Sequence, residues 1–243
     1  MDPNHVPVSR DSGRGPYSGG GPGVRRLAAV LLVAGVVLSL GFGALHPGEA
    51  DPNDHAAAFA EYARSEPWTV VHLGQFVGMA ALVSGLLVLG TVAGGPPGRS
   101  AWAARLGNWA AAASLALYGA LQAVDGVALK HSVDAWAASE GADKAVRFAA
   151  AEDIRWLEWG MRSYQSFVLG AALLLLGVAV ASSPGFPRPV GYLMGLSGAA
   201  YLAQGWIIGA IGFSGSNTVP TLAGIALILV WTLWLLASSL RRP

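Results

Sequence analysis

The chain has 243 residues; 53% are hydrophobic, only 12% are charged, and cysteine is absent. A soluble domain carries roughly 25% charged residues, so this composition is typical of a polytopic membrane protein. The missing cysteine excludes thiolate metal centres, iron–sulfur clusters and disulfide-stapled folds. The net charge of +1 excludes a general polybasic surface, and no nucleic-acid partner is expected.

Uncharged apolar runs set the number of predicted spans, because a membrane-crossing helix needs about 20 predominantly apolar residues. The last run, 189–240, contains no charged residue and is long enough for two spans. The polar segment 214–220, with its Gly and Pro, divides them. We therefore predict an all-α membrane protein, a six-transmembrane-helix bundle embedded in a lipid bilayer. Its spans lie at about 27–45, 69–93, 105–129, 156–182, 190–212 and 220–240.

The segments outside the spans have their own predicted structure. Segment 11–24 is rich in glycine and proline, so residues 1–26 are predicted to be a disordered cytoplasmic tail and residues 27–240 the transmembrane domain. The first apolar run exceeds the core of about 7–15 residues that a signal peptide has, so the first span is expected to be retained. Asp54 is expected to cap a short helix, and a helix that starts near Asp143 is expected to run into the fourth span.

Basic residues concentrate on one side of the predicted bundle. The N-terminal tail, segments 94–105 and 183–189, and the C-terminus carry nine of the 15 basic residues but two of the 14 acidic ones. The positive-inside rule therefore predicts that both termini are cytoplasmic. We expect a multi-pass protein of the cell membrane. Arginine far outnumbers lysine in an Ala-, Gly- and Val-rich chain, which favours a bacterial source.

Polar and ionisable residues inside spans are costly in lipid and are therefore candidates for function. Here they form one stripe at the outer end of each of the second, third and fourth spans, since residues three or four apart share a helix face. We expect the stripes to line an outward-facing pocket that binds a small molecule, ion or proton from the outer side. The candidate pocket residues are His72, Gln75, Tyr118, Gln122, Asp125, Glu158, Arg162 and Gln165.

The first alternative is a metal- or haem-dependent membrane enzyme. His72 and His131 lie on neighbouring antiparallel spans at similar depth, and Asp125 or Glu158 would complete a nitrogen and oxygen ligand set for a divalent metal. Two histidines on adjacent helices would equally suit a b-type haem. No motif supports either cofactor, and no catalytic residue is assigned. His46, at the outer end of the first span, is interpreted as a packing residue.

The second alternative is a non-catalytic membrane partner or sensor whose polar residues only hold helices together, as they do in many bundles. P-loop, HExxH and GxSxG motifs are absent, so ATPase, zincin and serine-hydrolase functions lack support. Glycines at helical spacing in the fifth span predict close packing inside the bundle. The ligand, catalysis and the oligomeric state stay open.

Overall fold

The structure is a computed structural model that describes residues 21–95 and 98–241. Most of the predicted cytoplasmic tail, residues 1–20, lies outside the described residues. A π-helical segment, Val124–Leu129, joins two helices, and a 3-10 turn, Gly215–Asn217, precedes the last one. The α-helices are α1 (Pro22–Gly43), α2 (His55–Arg64), α3 (Trp68–Ala93), α4 (Arg99–Ala123), α5 (Lys130–Ala137), α6 (Gly141–Ser182), α7 (Arg188–Ile211) and α8 (Thr218–Leu240).

Six helical segments of the described chain are long and apolar enough to cross a membrane. The predicted all-α, six-helix membrane architecture is thereby confirmed. α1 begins at Pro22, five residues before the predicted span, because proline fits the first helical turn, where its missing N–H is not needed. α6 has 42 residues and is about 63 Å long, twice the thickness of the hydrocarbon core. Its first part therefore extends beyond the membrane-spanning region.

The six spanning helices form a closed ring in chain order. α1 packs on α3, α3 on α4, α4 on α6, α6 on α7 and α7 on α8, and α8 returns to α1. Large apolar side chains, among them Leu86, Leu176 and Trp231, fill the middle of the ring and are fully buried. Each spanning helix thus has at least two neighbours, and α3 also contacts α6 across the ring.

The glycine face of α7 packs against α6 inside the bundle, as its helical spacing predicts. A Cβ added at Gly198 would lie 2.6 Å from the carbonyl oxygen of Gly170, and one at Gly205 would lie 2.9 Å from that of Ser163. Real side chains do not come so close. The two backbones can therefore approach only with glycine at these positions.

α2, α5 and the first residues of α6 (141–154) pack together over one end of the ring, and we call this unit the cap. The Asp54 carboxylate accepts a hydrogen bond from the Ala57 N–H at 3.1 Å, which closes the first turn of α2 as predicted. Phe59, Val133 and Ala151 form the fully buried core of the cap. The cap covers the end of the bundle at which α1 ends and α3 begins, which we call the cap end.

Candidate metal centre

Three possible metal ligands from three separate segments meet at the cap end. His46 follows α1, His72 lies in α3, and Asp125 lies in the π-helical segment. One ligand atom of each residue lies within 4.8 Å of the other two. The His72 Nε2 is 3.1 Å from the Asp125 Oδ2, and the rings of His46 and His72 are 5.2 Å apart between centroids. We call these three residues the His46–His72–Asp125 cluster.

Local backbone geometry brings the cluster together. The Trp68 indole N–H donates to the backbone carbonyl of Asp125 at 3.1 Å and thereby ties the start of α3 to the π-helical segment. Such wide turns are rare and frequently occur at functional sites. A Cβ added at Gly126 would lie 2.7 Å from the Cβ of His72. A glycine at this position therefore allows the two helices to approach.

Both histidines direct their Nδ1 atoms to backbone carbonyls. The Nδ1 of His72 is 2.7 Å from the carbonyl oxygen of Trp68, and the Nδ1 of His46 is 2.6 Å from that of Pro47. A carbonyl oxygen only accepts, so each Nδ1 carries the proton. In the neutral ring each Nε2 then has a free lone pair. Metal-binding histidines typically show this arrangement, in which the second ring nitrogen donates to a carbonyl or carboxylate.

The contact between His72 and Asp125 requires a cation. A lone pair on the His72 Nε2 would face a carboxylate oxygen at 3.1 Å, which is repulsive. A proton on Nε2, or a metal ion between the two atoms, turns the repulsion into attraction. The other oxygen of Asp125, Oδ1, is buried and has no hydrogen-bond partner in the described part of the chain. The pair therefore retains ligand capacity that protein groups do not use.

A buried ion pair lies beside the cluster. Arg155 and Glu158 are each 3% exposed and pair directly along α6. The Arg155 guanidinium also lies 5.4 Å from the ring centroid of Tyr62 and 5.7 Å from that of Trp159, a favourable cation–π arrangement. The carboxylates of Asp125 and Glu158 therefore lie beside a single guanidinium, that of Arg155. With both histidines neutral this group of side chains has an excess of negative charge, which favours a cation.

Burial also affects two titratable groups that lie outside the spans. Desolvation lowers the pKa of His46, although the nearby Asp125 carboxylate opposes the shift. Burial raises the pKa of the Tyr62 hydroxyl to about 12. The lowered pKa keeps His46 in its neutral form over a wider pH range, and the neutral form is the one that binds metal.

The remaining predicted pocket residues are spread along the spans. Gln165 donates from Nε2 to the Ser114 hydroxyl at 3.1 Å and so links α6 to α4. The Gln122 Oε1 is buried and has no hydrogen-bond partner among the described residues. Tyr118 is buried, whereas Gln75 and Arg162 are half-buried.

The structure brings together a different group of possible ligands from the one that the sequence predicts. His131 is exposed on α5 and does not belong to the cluster, and Glu158 is held by Arg155. His46 occupies the place that His131 was expected to take. The sequence signal for His46 is its position at the end of the first span, on the same side of the bundle as His72.

A cavity of about 310 Å³ lies beside His72, between α3 and α4. Gln122 and Gly126 also line it, and Leu73 and Val127 stand exposed at its rim. The cavity therefore reaches His72 from the side of the helix bundle, and its walls are mostly apolar.

Comparison with known proteins places the chain in a family. The sequence signature described as "Domain of unknown function (DUF4386)" matches residues 27–238, so the chain belongs to this family. No curated protein and no solved structure matches the chain.

Proposed function

We propose that this DUF4386 protein binds a divalent transition-metal ion of the zinc class through His46, His72 and Asp125. The observation that carries the proposal is the orientation of the two imidazoles. Their Nδ1 atoms are occupied by backbone carbonyls, so both Nε2 atoms are free for an ion. Two imidazoles and one carboxylate are a ligand set of zinc and non-haem iron sites that keep a coordination position open.

The distances suit an ion after a small movement. With bonds of about 2.0 Å, the ligand atoms of a tetrahedral zinc site lie about 3.3 Å apart. The His72 Nε2 and the Asp125 Oδ2 are already 3.1 Å apart. The ligand atom of His46 lies within 4.8 Å of the other two, so it needs to approach by at most about 1.5 Å to reach such a distance. It lies in the connection between α1 and α2, where a shift of this size disturbs no helix.

The same geometry does not favour a haem between these histidines. A bis-histidine haem places the two rings on opposite faces of a flat macrocycle. The rings of His46 and His72 lie at 61° to each other with centroids 5.2 Å apart. Trp68 packs against both, at 5.0 Å and 4.5 Å. A macrocycle has no space between them.

The site faces the outside of the cell in this proposal. The positive-inside rule supports that orientation, because Arg25, Arg26, Arg99 and Arg188 lie at the helix ends opposite the cap. The protein is then a multi-pass protein of a bacterial plasma membrane that takes its ion from the outer side. The three protein ligands leave room for a further ligand, so both binding and metal-assisted catalysis fit the site.

Zinc titration of the purified, metal-stripped protein in detergent tests the proposal. Calorimetry is expected to give one ion per chain with micromolar or tighter affinity. His46→Gln, His72→Gln and Asp125→Asn should each weaken binding by about a hundredfold or more, because each removes a ligand. His131→Gln is the matched control: it changes an exposed histidine at the same end and should bind as the wild type does.

Two outcomes would overturn the proposed ligand set. Loss of binding in His131→Gln together with normal binding in His46→Gln would favour the set His72, His131, Asp125 and Glu158. A wild-type protein that binds no zinc would favour a role of these polar residues in helix packing. Equal binding by all four variants would place the ion elsewhere in the protein.

Cysteine labelling tests the orientation separately. The natural chain has no cysteine, so a single introduced thiol reports its own location. A membrane-impermeant maleimide should label Ala142→Cys, in the cap, on intact cells. It should label Gly98→Cys, at the opposite end, only after lysis. The reverse pattern would place the site on the cytoplasmic side.

A further inference from the structure

A second cavity, of about 720 Å³, lies between the cap, α6 and α7. It is separate from the candidate metal centre, since none of the residues of the His46–His72–Asp125 cluster lines it. Its volume falls within the range of about 300–1,000 Å³ that small-molecule sites occupy. The proposed metal function makes no use of this cavity.

The cavity combines aromatic rings with acidic groups. Asp54 and Glu152 supply carboxylates, and no lysine or arginine occurs among the described residues that line it. The rings that line it belong to Phe148, Trp156, Trp159 and Tyr164. Aromatic faces beside carboxylates attract organic cations, because the ring quadrupole and the negative charge act in the same direction.

Specific contacts hold this wall in place. The Nδ1 of His55 is 3.0 Å from the Oε1 of Glu152. The His55 ring also packs edge-on against Trp156 and Trp159, at 5.3 Å and 5.4 Å. His55 is only 8% exposed. The carboxylate and the two indoles are thus kept together around one buried imidazole.

One polar group in this wall has no partner. Trp159 is 6% exposed, and its indole N–H is buried without a hydrogen-bond partner in the described part of the chain. A buried indole N–H usually donates to some acceptor. An ordered water would supply that acceptor.

The cavity also extends from the cap towards the lipid. Trp156 and Tyr164 are eight residues apart on α6, a distance of about 12 Å along the axis, and they are 56% and 66% exposed. Gly209, on the facing side of α7, is also exposed and lines the cavity. A molecule dissolved in the membrane can therefore reach it from the side.

We propose that this cavity binds a lipophilic organic cation, with an apolar body against the aromatic rings and its charge beside Glu152. The size, the acidic and aromatic wall and the lateral opening all fit such a ligand. The site is independent of the metal proposal, and either one can fail without the other.

Tetraphenylphosphonium is a suitable probe, and tetraphenylborate is its matched control because it has nearly the same size and the opposite charge. Equilibrium dialysis against the full chain in maltoside detergent should show saturable binding of the cation and at least tenfold weaker binding of the anion. Glu152→Gln should weaken binding of the cation about tenfold, because the amide still accepts from His55 but has no charge. Asp153→Asn, at the next residue, is the control and should not change binding.

A second variant covers the case in which Glu152→Gln alters folding. Trp156→Ala removes a ring that is 56% exposed and should also weaken cation binding about tenfold in a protein that still folds. Asp125→Asn should bind the cation normally, which separates this site from the metal centre. Equal affinity for the two probes, or normal cation binding by both Glu152→Gln and Trp156→Ala, would overturn the proposal.

Discussion

Buried polar side chains occur in two regions of this bundle, and their hydrogen bonding differs. Between α6, α7 and α8 they form closed chains: Ser166 donates to the Gln204 Oε1 at 3.1 Å, and the Gln204 Nε2 donates to the Thr221 hydroxyl at 2.7 Å. In the same region the Trp231 indole donates to Ser197 at 3.2 Å. These groups use one another as partners.

The cap end shows the opposite pattern. The Asp125 Oδ1 is buried and lacks a hydrogen-bond partner among the described residues, and the His72 Nε2 contacts the other oxygen of the same carboxylate at 3.1 Å. The two atoms belong to an imidazole and a carboxylate, which are common metal ligands, whereas Gln204 and its partners are amides and hydroxyls. Buried atoms without a partner also occur elsewhere, since the Gln165 Oε1 and the Asn108 Oδ1 lack one among the described residues. The cap end differs from those places because an imidazole and a carboxylate meet there. Substitutions in each region test this difference.

The largest expected effect is stabilisation by zinc. At a free zinc concentration one hundred times Kd, the free energy of unfolding should rise by about 2.7 kcal/mol, because only the folded chain assembles the site. Gln204→Leu should retain this gain and Asp125→Asn should lose it. Denaturant unfolding with and without zinc measures the difference. An equal gain in Asp125→Asn would mean that the ion binds elsewhere.

The second effect concerns the seam between α6 and α7. Gly198→Ala should lower the free energy of unfolding by about 2 kcal/mol, because the new Cβ meets the backbone of Gly170. Gly195→Ala, one turn away on the same helix, is the control, since its Cβ would lie 4.0 Å from Leu174. Equal effects of the two substitutions would show that the seam is not tightly packed.

The third effect concerns the closed hydrogen-bond chain. Gln204→Leu should cost about 1 kcal/mol, because Ser166 and Thr221 lose their partner between helices. Thr91→Val is the control, since the Thr91 hydroxyl donates only within its own helix, to Val88. Zinc affinity should not change in either variant. A weakened affinity in Gln204→Leu would couple the two regions that the comparison separates.

The smallest effect is expected on the stability of the zinc-free protein when Asp125 is replaced. Asp125→Asn should change the free energy of unfolding of the zinc-free protein by less than about 1 kcal/mol. The asparagine amide can donate to the lone pair of the His72 Nε2, whereas the carboxylate needs a cation there. A loss of several kcal/mol would assign Asp125 a structural role instead.

The fold class follows from sequence because lipid imposes a simple length rule. Apolar runs such as Trp68–Ala93 can satisfy their backbone polar groups in a membrane only as helices. Helical periodicity is also informative, because the spacing of the glycines predicts the face of α7 that packs on α6. These inferences need no knowledge of how separate segments meet.

The composition of the site was harder to predict, for two physical reasons. His46 lies in a connection, where the backbone follows no period that would direct its side chain towards His72. His131 lies beyond the π-helical segment, and the wider turn changes the direction of every later side chain. Regular α-helical spacing therefore relates His72 to Gln75 but fails between Asp125 and His131.

The π-helical segment also determines how α5 is rotated about its axis. An α-helix turns by about 100° with each residue, so in an unbroken α-helix one extra residue within 124–129 would rotate α5 by about that angle around its axis. The wider turn takes up that residue, and Val133 stays fully buried in the core of the cap. The same turn thus sets two alignments at once, that of the Asp125 carboxylate and that of the whole cap.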